Sequence, residues 1–192
     1  FVSHYGLEYG DMAEGLKNLH AQLKRGGSLI ALVHSESSLI YKKSQAIYDL
    51  TPSAIKHMKK SVAPLQEALL KHGPNNLTRS ALQAQQALNQ FARKHERNPA
   101  FHAMNFVPAT KHVLQAAAKG NEVESRQVYA GYLNLANVHK ARIQSLLKAT
   151  EQVRHTGGLQ QRLEEIGFKD IVIQEVEFPE SGVFGYCVQA SK

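Results

Sequence analysis

The stretch from Leu23 to His34 reads Leu-Lys-Arg-Gly-Gly-Ser-Leu-Ile-Ala-Leu-Val-His, and it decides the fold class of this chain. Its two consecutive glycines favour the end of a helix. The unbroken apolar run after them is typical of a strand that is buried on both faces, as in a parallel sheet. We therefore predict a strand from Ser28 to His34 with helices packed around it.

The residues before this stretch predict a strand and a helix. Phe1 to Tyr5 form the end of a short strand, and Asp11 begins a helix as its N-cap, with Glu14 three residues later as in a capping box. Apolar residues then recur at helical spacing up to Leu23. Residues 1–40 therefore read as strand, helix and strand.

Residues 41–155 carry almost no strand pattern and favour a helical bundle or cap. Thr51 and Pro52 are typical of a helix start, and Pro64 should kink or break the helix that follows. Three further helices are predicted, from Thr78 to about His95, from Pro108 to Gly120 and from about Glu122 to Val153.

Residues 156–192 return to the α/β pattern. A helix with Leu159, Leu163 and Ile166 on one face ends at Gly167. Two strands, Asp170 to Phe178 and Val183 to Ala190, flank a predicted turn at Pro179–Gly182 and form an antiparallel hairpin. The sequence thus predicts an α/β core in two segments, 1–40 and 156–192, that is interrupted by the helical insertion 41–155.

The two end segments together resemble the second half of a class I S-adenosylmethionine-dependent methyltransferase. The resemblance lies in Phe1-Val-Ser-His-Tyr-Gly-Leu-Glu-Tyr9, the helix end Leu23-Lys-Arg-Gly-Gly27, the strand to His34 and the closing helix and hairpin. In that family the fourth strand ends in a short polar and aromatic motif, and the helix end usually has Pro where this chain has Arg25. The resemblance implies a Rossmann-like half-sheet of strands 4, 5, 7 and 6, with the seventh antiparallel.

The resemblance also identifies what this chain lacks. The family's glycine-rich loop, G-x-G-x-x-G or G-x-G-x-G, is absent from the sequence, and so is the acidic residue that ends its second strand. We therefore expect an upstream half that carries most of the cofactor site and pairs with the exposed edge of the first strand. As written, the piece should bind S-adenosylmethionine poorly and be inactive alone.

The candidate site residues lie where the two predicted parallel strands end, the edge at which open α/β sheets bind ligands. The resemblance implies that Ser3, His4 and Tyr5 border the methionine part of the cofactor, and His4 is the candidate general base. Three further residues are candidates for substrate binding: Tyr9, His34 and Glu36. The alternative role is capping or packing for His4, packing of the next helix for Tyr9, and an ordinary polar loop for His34 and Glu36.

The methyl acceptor is predicted to be a small molecule. Ser3-His4-Tyr5-Gly6 stands where methylators of adenine or glutamine amide nitrogens carry an Asn/Asp-Pro-Pro-aromatic tetrad. Two alternatives stay open: a non-catalytic binding or dimerisation module on a methyltransferase-like platform, and a nucleic-acid methyltransferase that uses the basic helices. A homodimer through the helical zone is a further expectation.

Charge is concentrated in the helical zone. The whole chain has 23 Lys and Arg against 16 Asp and Glu, and residues 41–155 hold 17 of the former and 6 of the latter. This zone could contact phosphates, attract an anionic substrate or simply be a solvated helix face.

Other classes of site and location are disfavoured. No metal site is predicted, because the seven histidines of the zone form no ligand motif, and the single Cys187 rules out a Cys-rich zinc site. The apolar run Leu29–Val33 is far short of the roughly 20 residues of a membrane helix, and a cytoplasmic protein is expected.

Overall fold

The computed structural model describes residues 1–179 and 182–192, and these residues form two compact units. The first unit comprises Phe1–Gln45 and Arg142–Lys192, and the second comprises Ala46–Ala141. Glu180 and Ser181, at the centre of the predicted turn Pro179–Gly182, lie outside the described residues. No helix of the described part is both long and apolar enough to cross a membrane.

The elements alternate in type only near the two chain ends. In chain order they are β1 (Val2–His4), a 3-10 turn (Leu7–Tyr9), α1 (Met12–Gln22), β2 (Ser28–Val33), α2 (Leu39–His57), a π-helical turn (Met58–Val62), α3 (Ala63–His72), α4 (Arg79–Lys94), α5 (Pro99–Ala103), α6 (Phe106–Ala118), α7 (Glu122–Gln152), α8 (Thr156–Ile166), β3 (Lys169–Phe178) and β4 (Gly182–Ser191).

The first unit is built on a four-stranded mixed sheet in the order β1-β2-β4-β3. β1 pairs with β2 in parallel, and Ser3 lies opposite Ala31. β4 lies between β2 and β3 and is antiparallel to both. The α/β class and the closing antiparallel hairpin are therefore confirmed, and among the described strands β4 alone runs against the other three.

Helices of the first unit cover one face of this sheet. The core contains Leu29, Ala31 and Val33 of β2, packed with apolar residues of α1 and α8 such as Leu16 and Leu163. The prediction that β2 is buried on both faces is wrong, because its residues alternate and Ile30 is 44% exposed. Ile30 belongs to a row across the opposite face that also carries the exposed Val2 and Val172.

The hairpin has an irregularity near its turn. Val176 pairs with Gly185 and Glu177 pairs with Val183, so Phe184 has no residue opposite it on β3. Such an extra residue, a β-bulge, bends the strand and changes the direction of neighbouring side chains. Gly185 is buried at this point, and a Cβ on it would lie 2.3 Å from the backbone oxygen of Val33.

The helix boundaries of the first unit follow local chemistry. The Asp11 side chain accepts a hydrogen bond from the Glu14 backbone N–H at 3.0 Å, which confirms the predicted N-cap of α1. α8 ends at Gly167, whose φ of 106° lies in the left-handed region that suits glycine.

The second unit is helical, and its largest core cluster combines aromatic and aliphatic side chains. Phe91 of α4 meets Phe101 of α5 and Phe106 of α6 at ring-centroid distances of 5.5 and 5.2 Å. The predicted helix from Thr78 is confirmed as α4, with Thr78 as its N-cap. α5 was not predicted, although Asn98 caps it and Pro99 is its first residue.

The two prolines of the first long helical segment behave differently. Pro64 follows a π-helical turn and lies in the first turn of α3, which confirms the predicted interruption. The predicted helix start at Thr51-Pro52 is wrong, because both residues lie inside α2, which begins at Leu39. The Thr51 hydroxyl donates to the Ile47 carbonyl at 2.7 Å, and burial of the neighbouring Leu50 keeps the helix continuous through Pro52.

Candidate functional site

The site lies where β1 and β2 end, within the first unit. Because the two strands are parallel, the segment Ser3-His4-Tyr5 and the segment His34-Ser35-Glu36 leave the sheet at the same edge. The hydrogen bond from the Tyr5 N–H to the Leu32 carbonyl, 2.8 Å long, extends the pairing to the start of both loops. Parallel pairing thus brings the two predicted groups of residues to one edge.

Tyr5 adopts a backbone conformation that is rare for a bulky side chain. Its φ is 51°, in the left-handed region. Its hydroxyl donates to the carbonyl oxygen of Phe184 at 3.0 Å, in the irregular part of β4. Burial, together with the charge of Glu8, raises the pKa of Tyr5 to about 12. Tyr5 therefore keeps its proton at neutral pH and serves as a hydrogen-bond donor.

A buried carboxylate–imidazole pair is the centre of the site. Glu8 is fully buried, His34 is 4% exposed, and the Oε1 of Glu8 lies 2.6 Å from the Nδ1 of His34. The same Oε1 accepts the backbone N–H of His34 at 3.1 Å. The Oε2 of Glu8 is buried and has no hydrogen-bond partner among the described residues. A buried charge is costly unless it is paired, so the buried Glu8 carboxylate depends on its hydrogen bonds to His34.

Sequence reasoning identified His34 and missed Glu8. Glu8 lies in the 3-10 turn Leu7–Tyr9, within the stretch that carries the resemblance, but the resemblance implies no role for it. Its burial follows from the turn folding back beneath the end of β2, and a single acidic residue in a loop gives no signal of that.

Aromatic rings flank the imidazole on two sides. The Tyr5 ring lies 4.4 Å from the His34 ring, and the Tyr9 ring meets it edge-on at 5.7 Å. Tyr9 is 48% exposed, and its pKa is raised by burial and by Glu8, against a smaller lowering by Arg142. Of the predicted residues, Tyr5, Tyr9 and His34 are therefore brought into one cluster.

Two other predicted residues, Ser3 and Glu36, lie outside this cluster, and His4 borders it. His4 is exposed, and its ring packs against the Tyr5 ring with the centroids 4.7 Å apart. Ser3 lines a separate groove against α1. The Glu36 carboxylate is paired with Arg154 at 2.8 Å, in a largely solvent-exposed salt bridge.

The loop that holds Glu8 is fastened by the end of α7. The Nε2 of Gln152 donates to the carbonyl oxygens of Glu8 and Gly10, at 2.8 and 3.1 Å. The loop after β2 is linked to β3, since the Ser37 hydroxyl donates to Glu175 at 2.7 Å. Both loops are therefore fixed by hydrogen bonds to other elements of the unit.

The chemistry available at this edge is proton transfer and hydrogen bonding. A histidine that gives one ring N–H to a carboxylate keeps the other nitrogen for a ligand. No group of three or more His, Cys, Asp or Glu side chains suited to a metal ion occurs within residues 1–179 and 182–192.

Most basic side chains of the helical zone are exposed. In the second unit they include Lys56, Lys59, Lys60, Arg93, Lys94 and Arg97. One basic residue there is already paired: Arg126 binds the Glu67 carboxylate with two nitrogens and also contacts Glu122. The geometry does not favour phosphate binding over a solvated face.

Comparison with protein-family models, with curated proteins and with solved structures finds no match to this chain in any of the three.

Proposed function

We propose that this chain is the C-terminal half of an S-adenosylmethionine-dependent methyltransferase that acts on a small-molecule acceptor. The observation that carries the proposal is the strand order β1-β2-β4-β3 with β4 antiparallel. The resemblance implies this order, as strands 4, 5, 7 and 6 of a Rossmann-like sheet. Neighbouring strands usually follow one another in sequence, so the insertion of the last strand between the second and third is a specific feature.

The open surfaces of the sheet support the same proposal. No described strand pairs with the outer edge of β1, and the second face of the sheet carries the exposed Val2, Ile30 and Val172. A parallel sheet normally has both faces covered. The resemblance assigns this edge to an upstream half with the glycine-rich loop.

The described residues fit one side of a site for S-adenosylmethionine. When bound, that group supplies an electrophilic methyl on a positively charged sulfur. The aromatic rings of Tyr5 and Tyr9 and the unpartnered Oε2 of Glu8 are groups that suit a nearby positive charge. The chain's own task is to align the acceptor and exclude water, which a cluster of fixed aromatic side chains can do.

The proposal is tested by calorimetric titration of S-adenosylhomocysteine into the natural polypeptide that contains this chain, with the 192-residue piece as a control. We expect a dissociation constant on the order of micromolar for the longer polypeptide and no measurable binding by the piece. A His4→Ala variant should bind more weakly. His72→Ala, which changes an exposed histidine of the second unit, should bind as the wild type does.

Absence of binding by the longer polypeptide at ligand concentrations up to about 1 mM would refute the proposal. That result would favour the non-catalytic platform. Binding that is equally strong for the piece alone would contradict the placement of the cofactor loop upstream.

A further inference from the structure

The buried pair of Glu8 and His34 fixes which nitrogen of the imidazole carries a proton. One oxygen, Oε1, lies 2.6 Å from Nδ1 and also accepts the backbone N–H of His34. An ionised Glu8 has no hydrogen to donate, so its Oε1 accepts both of these hydrogen bonds. The neutral imidazole therefore holds its proton on Nδ1 and has its lone pair on Nε2.

The orientation of this ring is also fixed. Tyr5 and Tyr9 contact it on two sides, and Tyr5 is itself held by its hydrogen bond to Phe184. Rotation of the ring would break the bond to Glu8 and leave a buried carboxylate unpaired, which is costly. The lone pair of Nε2 consequently has one fixed direction.

The Nε2 atom is available to a ligand. None of the hydrogen bonds of His34 uses it, since both go to Glu8 through other nitrogens. The His34 side chain is 5% exposed, so only a small part of the ring reaches the surface. His34 thus has its Nδ1 bound to Glu8 and its Nε2 without a hydrogen-bond partner among the described residues.

We propose that His34 accepts a proton from the methyl acceptor through Nε2, with Glu8 as its positioning residue, and that the acceptor carries an O–H or N–H group. This inference rests on the proposed function and adds the class of substrate. The O–H or N–H bond breaks, its electron pair stays on the acceptor atom, and the proton becomes the Nε2–H of an imidazolium. The carboxylate of Glu8 balances the new positive charge at Nδ1.

Other side chains of the cluster are less suited to this role. Tyr5 keeps its own proton because burial raises its pKa to about 12. The sequence favours His4 as the base, but His4 is exposed, and its ring contact is with the edge of Tyr5. The geometry therefore favours His34 over His4 for proton transfer.

The first test needs no acceptor. Nitrogen-15 NMR of histidine-labelled polypeptide reports which ring nitrogen of His34 is protonated, and a His34→Asn variant assigns the signal. We expect the Nδ1–H form in the wild type and loss of this single form in Glu8→Leu, which removes both acceptor oxygens. A wild-type His34 protonated on Nε2, or a Glu8→Leu spectrum identical to that of the wild type, would overturn the proposal.

The second test measures methyl transfer from labelled S-adenosylmethionine to two sets of probes. Phenol and ethanolamine have a removable proton, whereas dimethyl sulfide and trimethylamine do not. His34→Asn keeps an N–H that can reach Glu8 but lacks Nε2. We therefore expect methyl transfer to phenol and ethanolamine to fall at least about 100-fold in this variant. His72→Asn is the matched control and should transfer at the wild-type rate.

Two outcomes separate this inference from the proposed function. Unchanged binding of S-adenosylhomocysteine by His34→Asn together with unchanged transfer would overturn the role of His34 and leave methyl transfer standing. Transfer confined to the probes without a removable proton would do the same. Absence of S-adenosylhomocysteine binding by the wild type would refute the proposed function itself.

Discussion

The position of β4 between β2 and β3 can be tested through Gly185. This residue is buried opposite Val176, and a Cβ at its position would lie 2.3 Å from the backbone oxygen of Val33 in β2. A carbon and a carbonyl oxygen normally approach to about 3.3 Å. The substitution Gly185→Ala therefore requires the two strands to separate by about 1 Å at this point.

The cost follows from the contacts that such a separation breaks. Overpacking in a filled core costs about 1–3 kcal/mol, and each weakened strand hydrogen bond adds about 1 kcal/mol. We expect Gly185→Ala to lower the free energy of unfolding by about 3 kcal/mol, a large part of the roughly 5–15 kcal/mol of a typical domain. In urea this corresponds to a midpoint about 1.5 M lower.

The assay is urea unfolding followed by far-ultraviolet circular dichroism, with Gly131→Ala as the matched control. Gly131 lies inside α7, and no atom that the structure describes lies within 4 Å of a Cβ added there. Alanine at that site should raise the free energy of unfolding by about 0.5–1 kcal/mol, because it removes a flexible residue from a helix. An unchanged midpoint for Gly185→Ala would mean that β4 does not lie against β2 as described. It would therefore also refute the strand order on which the proposed function rests.

Three further changes test the packing and the ionisation of single side chains. Tyr132→Phe should raise the free energy of unfolding by about 1 kcal/mol, because the Tyr132 hydroxyl is buried and has no hydrogen-bond partner within residues 1–179 and 182–192. Burial raises the pKa of Tyr132 from 10.0 to about 12, which means that the folded protein favours the protonated hydroxyl over the ionised one. This preference contributes fully to the free energy of unfolding below pH 10 and is lost as the pH rises toward 12. Urea titrations should therefore show that the free energy of unfolding falls less for the variant than for the wild type between neutral and alkaline pH. An equal fall would contradict this reasoning. Leu163→Ala, at a fully buried position in α8, should cost about 2–5 kcal/mol by the same assay, and a cost below about 1 kcal/mol would be inconsistent with the described core. Asp11→Ala removes the N-cap of α1 and should lower the melting temperature through a loss of about 1 kcal/mol, whereas no change would indicate that the cap is not formed.

Local chemistry made most of the elements predictable. The cap at Asp11, the left-handed Gly167 and the interruption before Pro64 each depend on a few neighbouring residues, and each was found as predicted. Thr51-Pro52 shows the limit of such signals. It has the form of a helix start, yet tertiary burial of Leu50 and Ala54 carries α2 through it.

The candidate site was predictable only in part. The carboxyl ends of parallel strands meet at one edge, so a sequence that predicts β1 and β2 also predicts that Tyr5 and His34 are near each other. Glu8 was missed because nothing local to a loop glutamate distinguishes a buried side chain from a solvated one. Its burial depends on how the turn packs beneath β2.

The sequence by itself determined the type of each zone, since hydrophobic period, capping residues and glycines act over a few positions of the chain. The resemblance also implied the place of β4 between β2 and β3. Two features depended on the tertiary structure: the exposure of Ile30 and the pairing of Glu8 with His34. Each of these joins or separates residues that are far apart in the chain. Which long-range contacts form depends on which surfaces and charges can be buried together, and this is a property of the packed molecule rather than of any local segment.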